Sequence, residues 1–123
     1  MIAGLGNDIT ECARIEQALE KHGELFLDHL LTGREKTESR NRLSYYAGRW
    51  AAKEALAKAL GCGIGEKCAF TDIEILDNEA GKPEVHLSGA AEITAKQLKA
   101  GRIHLSISHE KDYAVATAVL ETL

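Results

Sequence analysis

The chain has 123 residues, with 15 Lys plus Arg against 19 Asp plus Glu and a formal charge of −4. That length matches one domain of about 100 to 150 residues, so a single domain spanning 1–123 is expected. At 45 % apolar and 28 % charged residues, it has the balance of a globule rather than a disordered, collagenous or coiled-coil chain. The acidic total argues against a general nucleic-acid coat, which needs cations to neutralise phosphates, although a local basic patch can hold a polyanion. No apolar run approaches the roughly 18 residues that a bilayer requires, so no membrane partner is expected. Met1 leads into Ile-Ala-Gly-Leu-Gly without the basic start and apolar stretch of a secretory signal, and a cytoplasmic location is expected. Cys12, Cys62 and Cys68 form no Cys-x-x-Cys pair, which fits reduced, packed thiols.

In chain order, Ile2 to Asp8 mixes apolar and small residues as a short strand closely approached by another backbone, with Asp8 expected at its end. Helical spacing of Ile15, Ala18 and Leu19 predicts a helix over Glu11 to His22, stopped by Gly23, and a second short helix covers Glu24 to Leu31. Thr32 and Glu35 have the spacing of a capping box. The longest helix is expected from Leu43 to Leu60, rich in alanine and leucine, which are strong helix formers. Gly48, Ala52, Ala55, Leu56 and Ala59 share one arc of it, leaving Arg49, Trp50, Lys53, Glu54 and Lys58 on a side open to chemistry. Strands over Asp72 to Leu76 and Val85 to Leu87 flank a turn-rich segment, and Gly89 to Ala100 reads as a helix. Arg102 to Ser108 and Tyr113 to Leu120 read as a final strand pair. The order predicts an α+β fold, a small antiparallel sheet packed against a long helix.

Three features carry potential chemistry: Gly4-x-Gly6-x-Asp8, Trp50-Ala-Ala-Lys53-Glu54-Ala55, and Ser106-Ile-Ser108-His109. Each has an ordinary alternative. A lone Asp after a strand is commonly a turn residue, and Glu54 with Lys58 is commonly a solvated pair contributing about 0.3 to 0.5 kcal/mol. Together, Asp8 and Glu54 are hard oxygen donors of the kind Mg²⁺ takes alongside waters and substrate phosphates. Arg34 to Lys58 holds seven basic and three acidic residues, a positive block in an acidic chain, which suits a phosphate ester or a solvated helix surface.

Taken together, Gly4-Leu-Gly6-Asn-Asp8-Ile9, Arg14-Ile15, Ala47-Gly-Arg49-Trp-Ala-Ala-Lys53-Glu54-Ala55-Leu-Ala-Lys58, Asp72-Ile-Glu-Ile75, Gly81-Lys-Pro83 and Ser106-Ile-Ser108-His109 resemble the holo-acyl-carrier-protein synthases. These are the small bacterial 4'-phosphopantetheinyl transferases, and the resemblance covers nearly the whole chain. It implies transfer of 4'-phosphopantetheine from coenzyme A to a serine of apo acyl carrier protein, releasing adenosine 3',5'-bisphosphate, in fatty acid biosynthesis. By similarity, Asp8 and Glu54 would bind Mg²⁺, and Lys58, with Lys53, would set positive charge beside the diphosphate. Arg49 and His109 would suit the 3'-phosphate, while Gly81, Lys82 and Pro83 would shape the adenine edge. The base that takes the serine proton stays open between Glu35 and a water on the cation. Arg14, Ala18, Lys21 and His22, on one side of the first helix, resemble the family surface that meets the acidic carrier. The family is typically a homotrimer with the nucleotide cleft between neighbours. Two rivals stand beside this reading: a nonenzymatic module binding coenzyme A or a nucleotide, and a structural protein assembling through its long helix.

Overall fold

The computed structural model describes residues 1–123 and has the expected α+β architecture. Its first strand, β1 (Ile2–Glu11), lies directly against the longest helix, α4 (Leu43–Ala59). Two glycines permit that approach. A Cβ at Gly4 would strike the carbonyl oxygen of Ala59, and one at Gly6 would strike that of Ala55. Only hydrogen fits between strand and helix there.

Between these elements the chain forms α1 (Cys12–His22), α2 (Glu24–Leu30) and α3 (Gly33–Ser39). Gly23 separates the first two with φ 55°, and its N–H donates to Leu19 O at 2.8 Å. The capping box is formed: Glu35 N–H donates to Thr32 Oγ1 at 3.3 Å, and Thr32 N–H donates to Glu35 Oε1 at 2.9 Å. After α4 come β2 (Ile73–Asp77), β3 (Pro83–Leu87), α5 (Gly89–Gln97), β4 (Ala100–His109) and β5 (Tyr113–Thr122). β5 is the centre of an antiparallel sheet of order β1-β5-β4, and β2 and β3 form a separate antiparallel pair. Ala114, Ala116, Ala118 and Leu120 of β5 are buried under α4 with Ala51, Ala52, Ala55, Leu56 and Ala59. The other face of this sheet bears Leu5 and Ile9, 67 % and 66 % exposed.

Three expectations change. β1 continues past Asp8 to pair Glu11 with Tyr113, because a carboxylate on the helix-facing side does not interrupt the backbone ladder. α5 stops at Gln97, and Lys99 turns the chain with φ 58° so that Ala100 begins β4. The open side expected of α4 is nearly absent. Arg49 and Lys53 are buried with the alanines, leaving Lys58 exposed and Trp50 and Glu54 half-buried on its inner turns. The main sheet, the β2–β3 pair and the α1–α2 layer surround the helix, which periodicity within one segment does not reveal.

Candidate active site

Asp8 projects from β1 toward α4, where Glu54 and Lys58 occupy successive turns of one side. Lys58 Nζ donates to Asp8 Oδ1 at 3.2 Å and to the Asn7 carbonyl at 3.0 Å, so this lysine bridges the helix to the strand rather than forming only a helix pair with Glu54. Thr10 Oγ1 donates to Asp8 Oδ2 at 2.7 Å. Burial, and then the nearby Asp8 carboxylate, raise the Glu54 carboxyl above its ordinary range, against the opposing pull of Lys58. Two carboxylates thus feel one another's charge, with a half-exposed lysine hydrogen-bonded to one of them. The donor set fits a hard divalent cation held by two protein carboxylates and completed by water or phosphate oxygens. No group of three or more His, Cys, Asp and Glu side chains is poised to hold a metal, so a cation placed here would take two protein carboxylates at most.

Lys53 does not join them. It is 0 % exposed, and its Nζ donates to Leu30 O and to Glu35 Oε1, both at 2.7 Å. Glu35, also 0 % exposed, accepts in addition from Ile75 N–H at 2.9 Å and from the Thr32 N–H of its capping box. Burial draws the Lys53 ammonium below its ordinary pKa, opposed by Glu35. The expectation that Lys53 reaches a diphosphate is therefore corrected: its ammonium is committed to Leu30 O and Glu35 inside the core, where a substrate does not enter. Glu35 as a proton acceptor for serine fails for the same reason. This pair ties α2, α3, α4 and β2 together.

Arg49 is likewise committed, though at the rim. Its Nη2 donates to Glu38 Oε2 and Asp77 Oδ1, both at 3.1 Å, its Nε donates to Ile75 O at 3.3 Å, and its guanidinium lies 4.2 Å from the Tyr45 ring centroid. Arg49, Arg42, Asp77 and His109 line one cavity of about 100 Å³. Gly81 and Lys82 lie on the β2–β3 turn, and Pro83 begins β3 paired with Asp77, which leads back to Arg49. At about 100° per residue, Arg49 and Glu54 point about 140° apart around α4, so the carboxylate pair and this cavity lie on different sides of the helix.

Residues 4–118 match the family model described as the 4'-phosphopantetheinyl transferase superfamily. The chain belongs to the 4'-phosphopantetheinyl transferase superfamily. A holo-(acyl-carrier-protein) synthase of Geobacillus sp. (strain WCH70) is 44 % identical over 128 residues, covering 100 % of this chain and 99 % of its own. The crystal structure of the synthase from Neisseria meningitidis superposes with a TM-score of 0.91 at 37 % identity, covering 99 % of this chain and 100 % of that one. The synthase from Bacillus anthracis, crystallised in complex with CoA (3',5'-ADP), superposes at 0.84 with 40 % identity, covering 100 % and 99 %. A phosphopantetheinyl transferase is a transferase, which excludes the purely structural reading.

In this 4'-phosphopantetheinyl transferase a second cavity, of about 140 Å³, is lined by Thr10, Arg14, Ile15, Ala18, Phe26 and Trp50, and Thr10 connects its wall to Asp8 through their hydrogen bond. Arg14 and Ala18 of the expected carrier surface meet there. His22 instead lines a neighbouring hollow with Leu25, Phe26 and His29, while Lys21 is exposed on α1. Sequence reasoning missed Thr10 and Phe26, whose ring stacks on that of Trp50 with centroids 5.8 Å apart. The alternation along β1 contained the signal for Thr10, two residues beyond Asp8 and hence on the same face. Nothing local signalled Phe26.

Proposed function

We propose that this transferase moves 4'-phosphopantetheine from coenzyme A to a serine of apo acyl carrier protein, releasing adenosine 3',5'-bisphosphate, in fatty acid biosynthesis. The observation that carries the reading is the meeting of Asp8, Glu54 and Lys58, with Thr10 joining Asp8 to the cavity wall that it shares with Trp50, in a chain matched over its full length by such synthases. In this reading one domain, residues 1–123, does the work in the cytoplasm. No helix is long and apolar enough to cross a membrane.

Asp8 and Glu54 would hold Mg²⁺. When bound, the cation supplies positive charge that offsets the negative charge developing on the phosphoryl oxygens. Lys58, whose side chain is 51 % exposed, has the reach to leave Asp8 and set its ammonium against the diphosphate, adding electrostatic stabilisation from the protein itself. Arg49 and His109 would bind the 3'-phosphate in their shared cavity, and Gly81, Lys82 and Pro83 would border the adenine. Arg14, Ala18 and Lys21 would receive the carrier, with Arg14 attracting its acidic surface and the adjoining cavity admitting an apolar side chain. The serine then arrives beside Asp8 rather than beside Arg49.

The 3'-phosphate residues and the metal pair lie on different sides of α4, so one coenzyme A reaches both most simply when neighbouring subunits each contribute one set. The exposed sheet face bearing Leu5, Ile9, Tyr113 and Val115 offers an apolar surface for that association, and the assembly we propose is the homotrimer that the family resemblance implies. Incubation with coenzyme A, Mg²⁺ and apo carrier protein, followed by intact-mass measurement of the carrier, tests the activity. Gain of one phosphopantetheine is expected. Binding of coenzyme A without a mass change would establish the nonenzymatic module instead.

A further inference from the structure

Asp8 is held from two sides by donors of very different freedom. Lys58, on Oδ1, is half exposed at the end of a flexible stem. Thr10, on Oδ2, is 5 % exposed and sits within the paired part of β1, opposite Ala114 of β5. Its position two residues beyond Asp8 places both side chains on the α4-facing side of the strand. β-Branching restricts its χ1, so the hydroxyl is a fixed donor. A hydrogen bond to an ionised carboxylate is also among the stronger kinds. When Lys58 turns to a substrate, Thr10 is the remaining side chain that holds the carboxylate in place.

We propose that Thr10 is a positioning residue for the divalent cation: its hydroxyl fixes Asp8 Oδ2 so that the carboxylate stays aimed at the space it shares with Glu54. The inference rests on the reading of Asp8 and Glu54 as the cation's ligands. Thr10 also forms part of the cavity wall with Arg14, Ile15, Ala18, Phe26 and Trp50. Its hydroxyl must therefore be separated from its shape, and valine, of nearly equal volume and equally β-branched, makes that separation.

The probe is Mn²⁺ added to the protein without coenzyme A or carrier, with free ion counted by electron paramagnetic resonance. Removing an outer hydrogen bond to a metal ligand typically weakens binding by about 10- to 100-fold, so Thr10→Val is expected to weaken Mn²⁺ binding by about 10-fold or more, while Thr10→Ser stays within about 3-fold of the parent. Circular dichroism checks that the variants fold. If Thr10→Val does not, Thr10→Ala against Thr10→Ser makes the same comparison. Loss of binding in Asp8→Asn with a Thr10→Val affinity within about 2-fold of the parent would overturn the role of Thr10 alone. Undiminished binding in Asp8→Asn would overturn the ligand assignment beneath it.

Discussion

Lys53 and Lys58 stand one and a half turns apart on α4, yet the fold uses their charges for different ends. Lys53 is sealed between Leu30 O and Glu35, with no exposed surface. Lys58 reaches out of the helix to Asp8 and keeps half of its side chain in solvent. The difference is set by what lies opposite: the capped start of α3 and strand β2 close over Lys53, whereas Lys58 faces the edge where β1 passes the helix. A count of positive charge in Arg34 to Lys58 therefore overstates the field that a ligand meets. Arg49 and Lys53 are compensated by Glu38, Asp77 and Glu35 before any substrate arrives.

The contrast is broken most severely at its buried end. Lys53→Met leaves Glu35 charged and unpaired in the core, and urea unfolding is expected to show a loss of about 3 to 5 kcal/mol. Adding Glu35→Gln removes the stranded charge and is expected to recover part of that loss. A single-variant cost below about 1 kcal/mol would show that the pair is not a structural tie. At the open end the effect moves from stability to turnover. Lys58→Ala is expected to lower kcat by about 100-fold, as for removal of one electrostatic stabiliser. Its stability should change by less than about 1 kcal/mol, because exposed ion pairs contribute little.

Gly6 lies beneath both effects, since it sets the distance between β1 and the helix turn that carries Lys58. Gly6→Ala forces its new methyl against the Ala55 carbonyl and is expected to cost about 1 to 3 kcal/mol by thermal unfolding. Turnover should fall with it as Asp8 is pushed from Glu54. A smaller and more selective change is expected at the carrier surface, where Arg14→Ala should raise the KM for carrier protein several-fold and leave the KM for coenzyme A unchanged in steady-state assays. Equal changes in both would displace the carrier from α1.

The mildest probe reads the sealing of α4 without mutation. Burial pushes the Cys68 thiol up to about 12 and raises Cys12, whereas Cys62 is only half-buried just past the helix end. Both raised thiols stay protonated at pH 8, and the thiolate is the reactive form. A disulfide reagent at that pH is expected to titrate one thiol, Cys62, before unfolding and all three afterwards. Rapid reaction of two or three in the native protein would contradict the packing described.

Much of this was legible in the residues themselves. The Thr32–Glu35 box, the Gly23 break and the two antiparallel strand pairs depend on contacts within a few residues or on simple alternation, and they form where the pattern placed them. Asp8, Glu54 and Lys58 could be nominated because their types and order match a family pattern, and they do meet. Lys53 lies one residue before Glu54 in the same motif, and motif position alone assigned it the wrong environment.

Local spacing, caps and motif order determined the elements, the family resemblance and the residues offered for chemistry, because each depends on neighbours in sequence or on residue type. Which lysine is sealed and which is exposed, and why Thr10 matters, were decided only by tertiary packing. Lys53 meets Glu35 from 18 residues away and Lys58 meets Asp8 from 50. Helical periodicity gives the direction in which a side chain leaves its helix, but burial and pairing depend on the distant segment that the fold brings to that direction.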